Sequence, residues 1–226
     1  MSLIIAPDLS HHNQNSSLAN TFLAEGNLKY AAFKLTEGIT YIDNYIDTYI
    51  DQLLYHTPKS YKVVIGLYHF CRLDNKLDSE TAAERAQKEM KHYISTFREK
   101  TQAARQKYPH HNFEFVTILA WEGASLKAAH GDDYLCECIA RIYGAFGVAP
   151  ILYMSASTTK NLYMATIKIR YPDVPLWVAH YGVNSPVFGT WRAWLGWQFT
   201  STPIDLSFID IGALYGYTID VKREAD

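Results

Sequence analysis

The sequence predicts an α/β fold, an irregular TIM-like (β/α) barrel with eight strands and fewer than eight helices. Three observations carry this. Short apolar runs of strand length alternate with segments of helical periodicity, the pattern of a parallel sheet with crossover helices. About eight such strands fit into 226 residues, which suits one closed barrel. Hydrophobic residues make up 48% of the chain, enough for one sizeable core. No repeat, linker or low-complexity stretch divides the chain, so residues 1–226 are expected to form a single catalytic barrel.

The elements follow in order. Residues 3–9, LIIAPDL, form the first strand, and SLANTFLAEG a helix stopped by Gly26. YAAFKLT is the second strand. YIDNYIDTYIDQLLYH, residues 41–56, repeats Tyr and Ile at spacings of three and four, an amphipathic helix. KVVIGLYHF is the third strand. A long helix follows to Lys107, with Asp78 as its expected N-cap. A strand from Val116 comes next, then a helix over 132–147 and the strand APILYMS. TTKNLYMATI is expected to be a short helix, and VPLWVAHY, GWQFT and PIDLSFI complete the strands.

Composition narrows the function. A net charge of −2 gives no long-range attraction to nucleic acid or anionic membrane. No apolar run reaches the ~20 residues of a membrane-spanning helix. The three cysteines, Cys71, Cys136 and Cys138, do not make a disulfide framework and show no zinc spacing, and the adjacent His11 and His12 are poorly placed to chelate one ion; no metal and no cofactor are expected. The start MSLIIAP lacks the basic region of a signal peptide, so synthesis without a secretory leader is expected. Seventeen Tyr and five Trp are the kind of surplus that lines interfaces or sugar-binding clefts, and a barrel core also consumes them.

In a parallel barrel the chemistry sits at the C-terminal strand ends. Those ends carry Asp8, Lys34 with Glu37 behind it, Tyr68 with His69 and Arg72, Glu122, Tyr153 with Ser155, His180 with Tyr181, Gln198 and Asp205. Each acid has a simpler reading: Asp8 as a cap or turn with Ser10, Glu37 as an ion pair with Lys34, Asp205 as a turn after Pro203, Glu122 as a strand end reaching solvent. Four carboxylates converging on one mouth weigh against four separate accidents. Two or more carboxylates in an aromatic cleft are what glycoside hydrolysis needs: one acid protonates the leaving oxygen and another faces the developing positive charge. Trp177, Tyr181 and Trp197 could stack on sugar faces.

The chain also resembles a known family. PDLSHHN, AAFKLTEGITYID, IGLYHFCR, PILYMS, PLWVAHY, WQFTS and IDLSF are similar, in order and from Asp8 to Phe208, to the motifs of glycoside hydrolase family 25, the Chalaropsis-type lysozymes. The resemblance implies an irregular α/β barrel that cleaves the β-1,4 bond between N-acetylmuramic acid and N-acetylglucosamine of a peptidoglycan strand. It implies Glu122 as general acid, with Asp8 and Asp205 as the other catalytic carboxylates. Glu37, Tyr68, Tyr153, Trp177, Tyr181 and Gln198 are the expected substrate-binding residues, and a monomer is expected. The family's D-x-E strand end here reads Ala120-Trp121-Glu122, and its V-D-L-N reads IDLS. Residues two apart on a strand share a face, so Ala120 leaves a gap on the cleft side while Trp121 points away. Asp8 or Asp205 then covers the missing role, or the protein binds cell-wall glycan with weak or no turnover.

Overall fold

In a computed structural model, residues 2–73, 80–123, 126, 129–161 and 163–219 are described. They form a closed mixed barrel of eight strands with a ninth strand on its rim and six α-helices. The barrel strands are β1 (Leu3–Leu9), β2 (Tyr30–Glu37), β4 (Val63–Phe70), β5 (Phe113–Ala120), β6 (Ile151–Ser155), β7 (Leu176–Ala179), β8 (Gly196–Thr200) and β9 (Asp205–Asp210). The helices are α1 (Ser17–Ala24), α2 (Ile46–His56), α3 (Ala82–Lys107), α4 (Gly131–Phe146), α5 (Tyr163–Arg170) and α6 (Ile211–Leu214).

The expectation of a parallel barrel needs one correction. From β1 through β2, β4, β5, β6, β7 and β8 the neighbours are parallel, but β9 runs antiparallel to both β8 and β1. The reversal follows from length: only Ser201 to Ile204 separate β8 from β9, far short of the dozen or more residues a parallel crossover takes. Asp205 is therefore the first residue of its strand, yet it lies at the same mouth as the strand ends around it.

Helix boundaries differ in two places. Tyr41 and Ile42 do not begin a helix; they form β3 (Tyr41–Ile42), paired antiparallel with Thr36 and Glu37. Both are strand-favouring residue types with a partner edge available. Helix α2 starts at Ile46 instead, after the Asp43 carboxylate accepts from the Tyr45 N–H. Asp78 lies outside the described residues. The described helix α3 starts at Ala82, with Thr81 and Glu84 forming a reciprocal capping box.

The core has two layers. Inside the barrel lie Ala6, Tyr30, Ala32, Val64, Val116, Ile118, Ile151, Trp177 and Ile209. Between barrel and helices lie the alternate residues, among them Phe33, Leu67, Phe115, Leu119 and Val178, packed on Leu53, Tyr93, Phe97 and Ile139. The interior is narrow enough to demand glycine twice. A Cβ on Gly66 would run into the Tyr30 hydroxyl, and one on Gly196 would lie 2.7 Å from the Trp177 ring. All three cysteines are buried and outside any disulfide. No described helix is long and apolar enough to cross a membrane.

Candidate active site

Side chains of alternate residues face the barrel interior, and at the mouth that face opens into a cleft of about 410 Å³. Asp8, Glu37, Tyr68, Ala120, Glu122, Tyr153, Trp177, Tyr181, Gln198 and Asp205 all line it. Every residue assigned to the site from the sequence is thus brought to one place, while Trp197, offered as a stacking ring, and the strand-end residues His69, Ser155 and His180 do not line the cleft. The Trp197 side chain faces outward, packing on Trp194, Phe199 and Phe208 and donating its indole N–H to the His180 carbonyl at 2.8 Å. Trp177 does reach the cleft, but as its floor: it is 2% exposed and donates to Ser207 Oγ at 2.9 Å.

Glu122 is held by what surrounds it in sequence. Trp121 turns to the opposite side of the strand end, fully buried, stacked on Tyr134 with ring centroids 5.5 Å apart and donating to the Tyr163 hydroxyl at 3.0 Å. Gly123 then adopts φ +67°, a left-handed turn that glycine takes without steric cost, and carries the chain away. Anchored on one side and turned on the other, residue 122 projects into the cleft. Burial, reinforced by the charge of Asp205, raises its pKa to about 7 from an ordinary 4.5, while Lys34 and Arg72 pull more weakly the other way.

Asp8 and Asp205 face each other as register partners of β1 and β9. Directly opposed antiparallel residues have Cα atoms about 4.5–5.5 Å apart. Burial pushes Asp8 well above the usual carboxylate range, the charges of Asp205 and Glu122 add to this, and a hydrogen bond from Gln198 Nε2 at 2.8 Å opposes it. Burial raises Asp205 to about 6. The three acids therefore share less than their full negative charge at neutral pH.

Glu37 belongs to a different group. A β-bulge between Lys34 and Thr36 breaks the alternation of β2, so Lys34 and Glu37 both reach the cleft. Glu37 pairs with Lys34, and accepts from Arg72 Nε at 2.6 Å. Burial works against its charge, but Lys34 and Arg72 outweigh it and hold the carboxyl below its ordinary value. The ion-pair reading of Glu37 is correct, and the pair also lines the cleft. The sequence places Lys34 and Arg72 at the strand ends without giving them a site role and passes over Phe70, Ser10 and His12, although all five line the cleft. Alternation from Tyr68 would have placed Phe70 and Arg72 there. His69, by the same alternation, points to the helices and is fully buried. No group of three or more potential metal ligands occurs among the described residues.

A closed barrel whose mouth holds three carboxylates of raised pKa, on an aromatic floor, defines the general class of carboxylate-dependent hydrolases acting on sugars. The sequence profile of the glycosyl hydrolases family 25 matches residues 7–206, and the chain belongs to that family. It is a glycoside hydrolase. No curated protein sequence matches it. Among solved structures it is similar to a family GH25 lysozyme from Aspergillus fumigatus, with a TM-score of 0.67 and 18% identity over 97% of this chain and 100% of that one. A bacterial lysozyme from Streptomyces coelicolor gives a TM-score of 0.65 and 17% identity over 93% of each chain. The modular Cpl-1 endolysin, solved with a peptidoglycan analogue, gives 0.60 and 20% over 91% of this chain and 54% of that one. At these identities the structures attest the shared barrel.

Proposed function

We propose that the chain is a muramidase that hydrolyses the β-1,4 bond between N-acetylmuramic acid and N-acetylglucosamine in peptidoglycan, with Glu122 as general acid. The observation that carries this is Glu122 itself: its pKa of about 7 keeps a proton available near neutrality, inside a cleft that also holds Asp8 and Asp205. A general acid works best when its pKa lies close to the working pH. Family membership and the peptidoglycan analogue bound by the Cpl-1 endolysin support the substrate class.

In this reading Glu122 gives its proton to the glycosidic oxygen as the bond to the anomeric carbon breaks. Positive charge develops on the sugar ring, and the ionised member of the Asp8–Asp205 pair faces it. Water adds to the anomeric carbon and returns a proton to Glu122, so the enzyme ends as it began. Tyr68, Tyr153 and Tyr181 line the walls, and Lys34, Glu37 and Arg72 form a polar rim for sugar hydroxyls. Ala120 offers no carboxylate to orient the 2-acetamido group, and the Asp8–Asp205 pair takes that part. The site of action is the cell wall.

Ala120 also favours a second reading, a protein that grips cell-wall glycan without turning it over, because this wall position is 2% exposed and apolar. Purified peptidoglycan decides. Falling turbidity with new muramic acid reducing ends supports the muramidase; retained binding without new ends supports the binder; activity confined to another N-acetylated polymer refutes both.

A further inference from the structure

Gln198 is 2% exposed on β8, with its amide between two sets of partners. On one side Nε2 donates to Asp8 Oδ2 at 2.8 Å. On the other, Oε1 accepts from the Tyr153 hydroxyl at 2.8 Å and from the Tyr181 hydroxyl. The two hydroxyls are also within hydrogen-bonding reach of each other.

An amide can turn end for end, and the network decides which way it faces. Turned, Gln198 would present its carbonyl oxygen to Asp8, which could then bond only by carrying a proton. Its NH2 would point at the two phenol oxygens, and both O–H bonds that the carbonyl accepts would be lost. Two O–H donors aimed at one carbonyl oxygen select the orientation in which the NH2 meets Asp8. That contact stabilises the carboxylate over the carboxylic acid.

We propose that Gln198 is a positioning residue, locked by Tyr153 and Tyr181, that holds Asp8 through Oδ2 and favours its anion against the burial and the neighbouring carboxylates that oppose it. The surroundings of Asp8 make such a device necessary. Asp205 on β9 and Glu122 beyond β5 oppose its charge; Tyr30 on β2, Tyr68 on β4, Tyr153 on β6 and Tyr181 after β7 bring neutral phenols; Lys34 on β2 is committed to Glu37. Gln198 is the group in contact with Asp8 that favours its anion. Without it, Asp8 would hold its proton more tightly still, where the proposed mechanism, on which this inference rests, needs negative charge on the Asp8–Asp205 pair.

The test is a carbon-detected NMR titration of the Asp8 carboxyl in the intact chain, which needs no turnover. Gln198→Leu should raise the Asp8 midpoint by about one pH unit or more, the usual scale for losing a hydrogen bond to a carboxylate. Tyr153→Phe combined with Tyr181→Phe keeps the rings, frees the amide to turn, and should shift Asp8 the same way by less. The acid limb of kcat/KM should move to higher pH in step, a change that lost packing alone would not produce. An Asp8 midpoint unmoved in the folded Gln198→Leu variant overturns the proposal; if that variant does not fold, an unmoved midpoint in the double tyrosine variant does so. A wild-type chain that never cleaves peptidoglycan would defeat the muramidase reading while leaving the titration to decide this one.

Discussion

Two glutamates, one inside α3 and one just beyond β5, show how differently burial can act. Glu89, on α3, is 0% exposed, yet its carboxyl is held below its ordinary pKa. Burial opposes its charge, but His69 Nε2 at 2.8 Å, the Tyr134 hydroxyl at 2.7 Å, the Arg85 guanidinium at 2.7 Å and the Arg72 N–H at 3.0 Å outweigh that cost. Glu122, in the cleft, is pushed up to about 7 by burial and by Asp205. The same side chain is thus an anion where its partners are donors and an acid where its neighbours are apolar or anionic. Glu89 ties the end of β4 to α3 and α4, and through Arg72 it steadies the cationic rim; Glu122 is left poised to give up a proton.

The sharpest way to break this contrast is to remove the anion that is fully partnered. Glu89→Ala leaves Arg85 and His69 facing a buried hole, and should cost about 3–5 kcal/mol of unfolding free energy, the usual penalty for breaking a buried ionic network. Urea denaturation measures it, and a loss below ~1 kcal/mol would mean that the network is incidental. The reciprocal change, Glu122→Gln, should leave stability equal or higher and lower peptidoglycan turnover by ~10²-fold or more, the scale of general acid catalysis. Undiminished turnover in that folded variant would remove Glu122 from the mechanism.

The two acids should also tilt the pH dependence of stability in opposite directions. For Glu122 the folded pKa of about 7 exceeds the ordinary 4.5, so the folded state binds the proton more tightly. Its contribution is full below about 4.5 and is lost as pH rises through about 7. Glu89, with a lowered pKa, contributes stability above its ordinary value that disappears as pH falls through the folded one. Thermal melts from pH 4 to 8 should therefore show Glu122→Gln flattening the decline between pH 5 and 7; an unchanged slope would mean that Glu122 is not an acid of raised pKa.

The smallest expected effect is the most diagnostic of the cleft. Ala120→Asp places a carboxylate on the wall shared with Glu122. Turnover should rise modestly, because a fixed anion beside developing positive charge stabilises the transition state more than the ground state. Stability should fall slightly at neutral pH and recover in acid, since the added Asp would share the raised pKa of its neighbours. A variant no faster at any pH would show that Asp8 and Asp205 already fill the role.

Most of the barrel was legible in the sequence because alternation and strand-length runs encode faces directly. Asp8, Tyr68, Glu122, Tyr153 and Gln198 reach the cleft by that rule. Trp197 was assigned to the cleft against it: adjacent to Gln198 on β8, it has to face the other way. The direction of β9 was not legible from the strand itself, since an alternating run reads the same in both directions; the short connection from β8 was the only clue. The β2 bulge, which turns Lys34 and Glu37 to one side, has no local signature that separates it from a regular strand. The Glu89 network was hidden for a different reason. Its partners come from β4, α3 and α4, and their meeting is a product of packing rather than of spacing.

The reversal of β9 also bears on how the protein is made. Asp8 lies on the first strand of the barrel and Asp205 on the last, and these two strands close the sheet on each other. Contacts so distant along the chain form late, after the local helices and hairpins. The carboxylate cluster is then incomplete in any nascent chain that stops short of β9, which ends at Asp210. A cleft built this way assembles only when the barrel itself is finished, so any fragment that stops short of β9 lacks one wall of it.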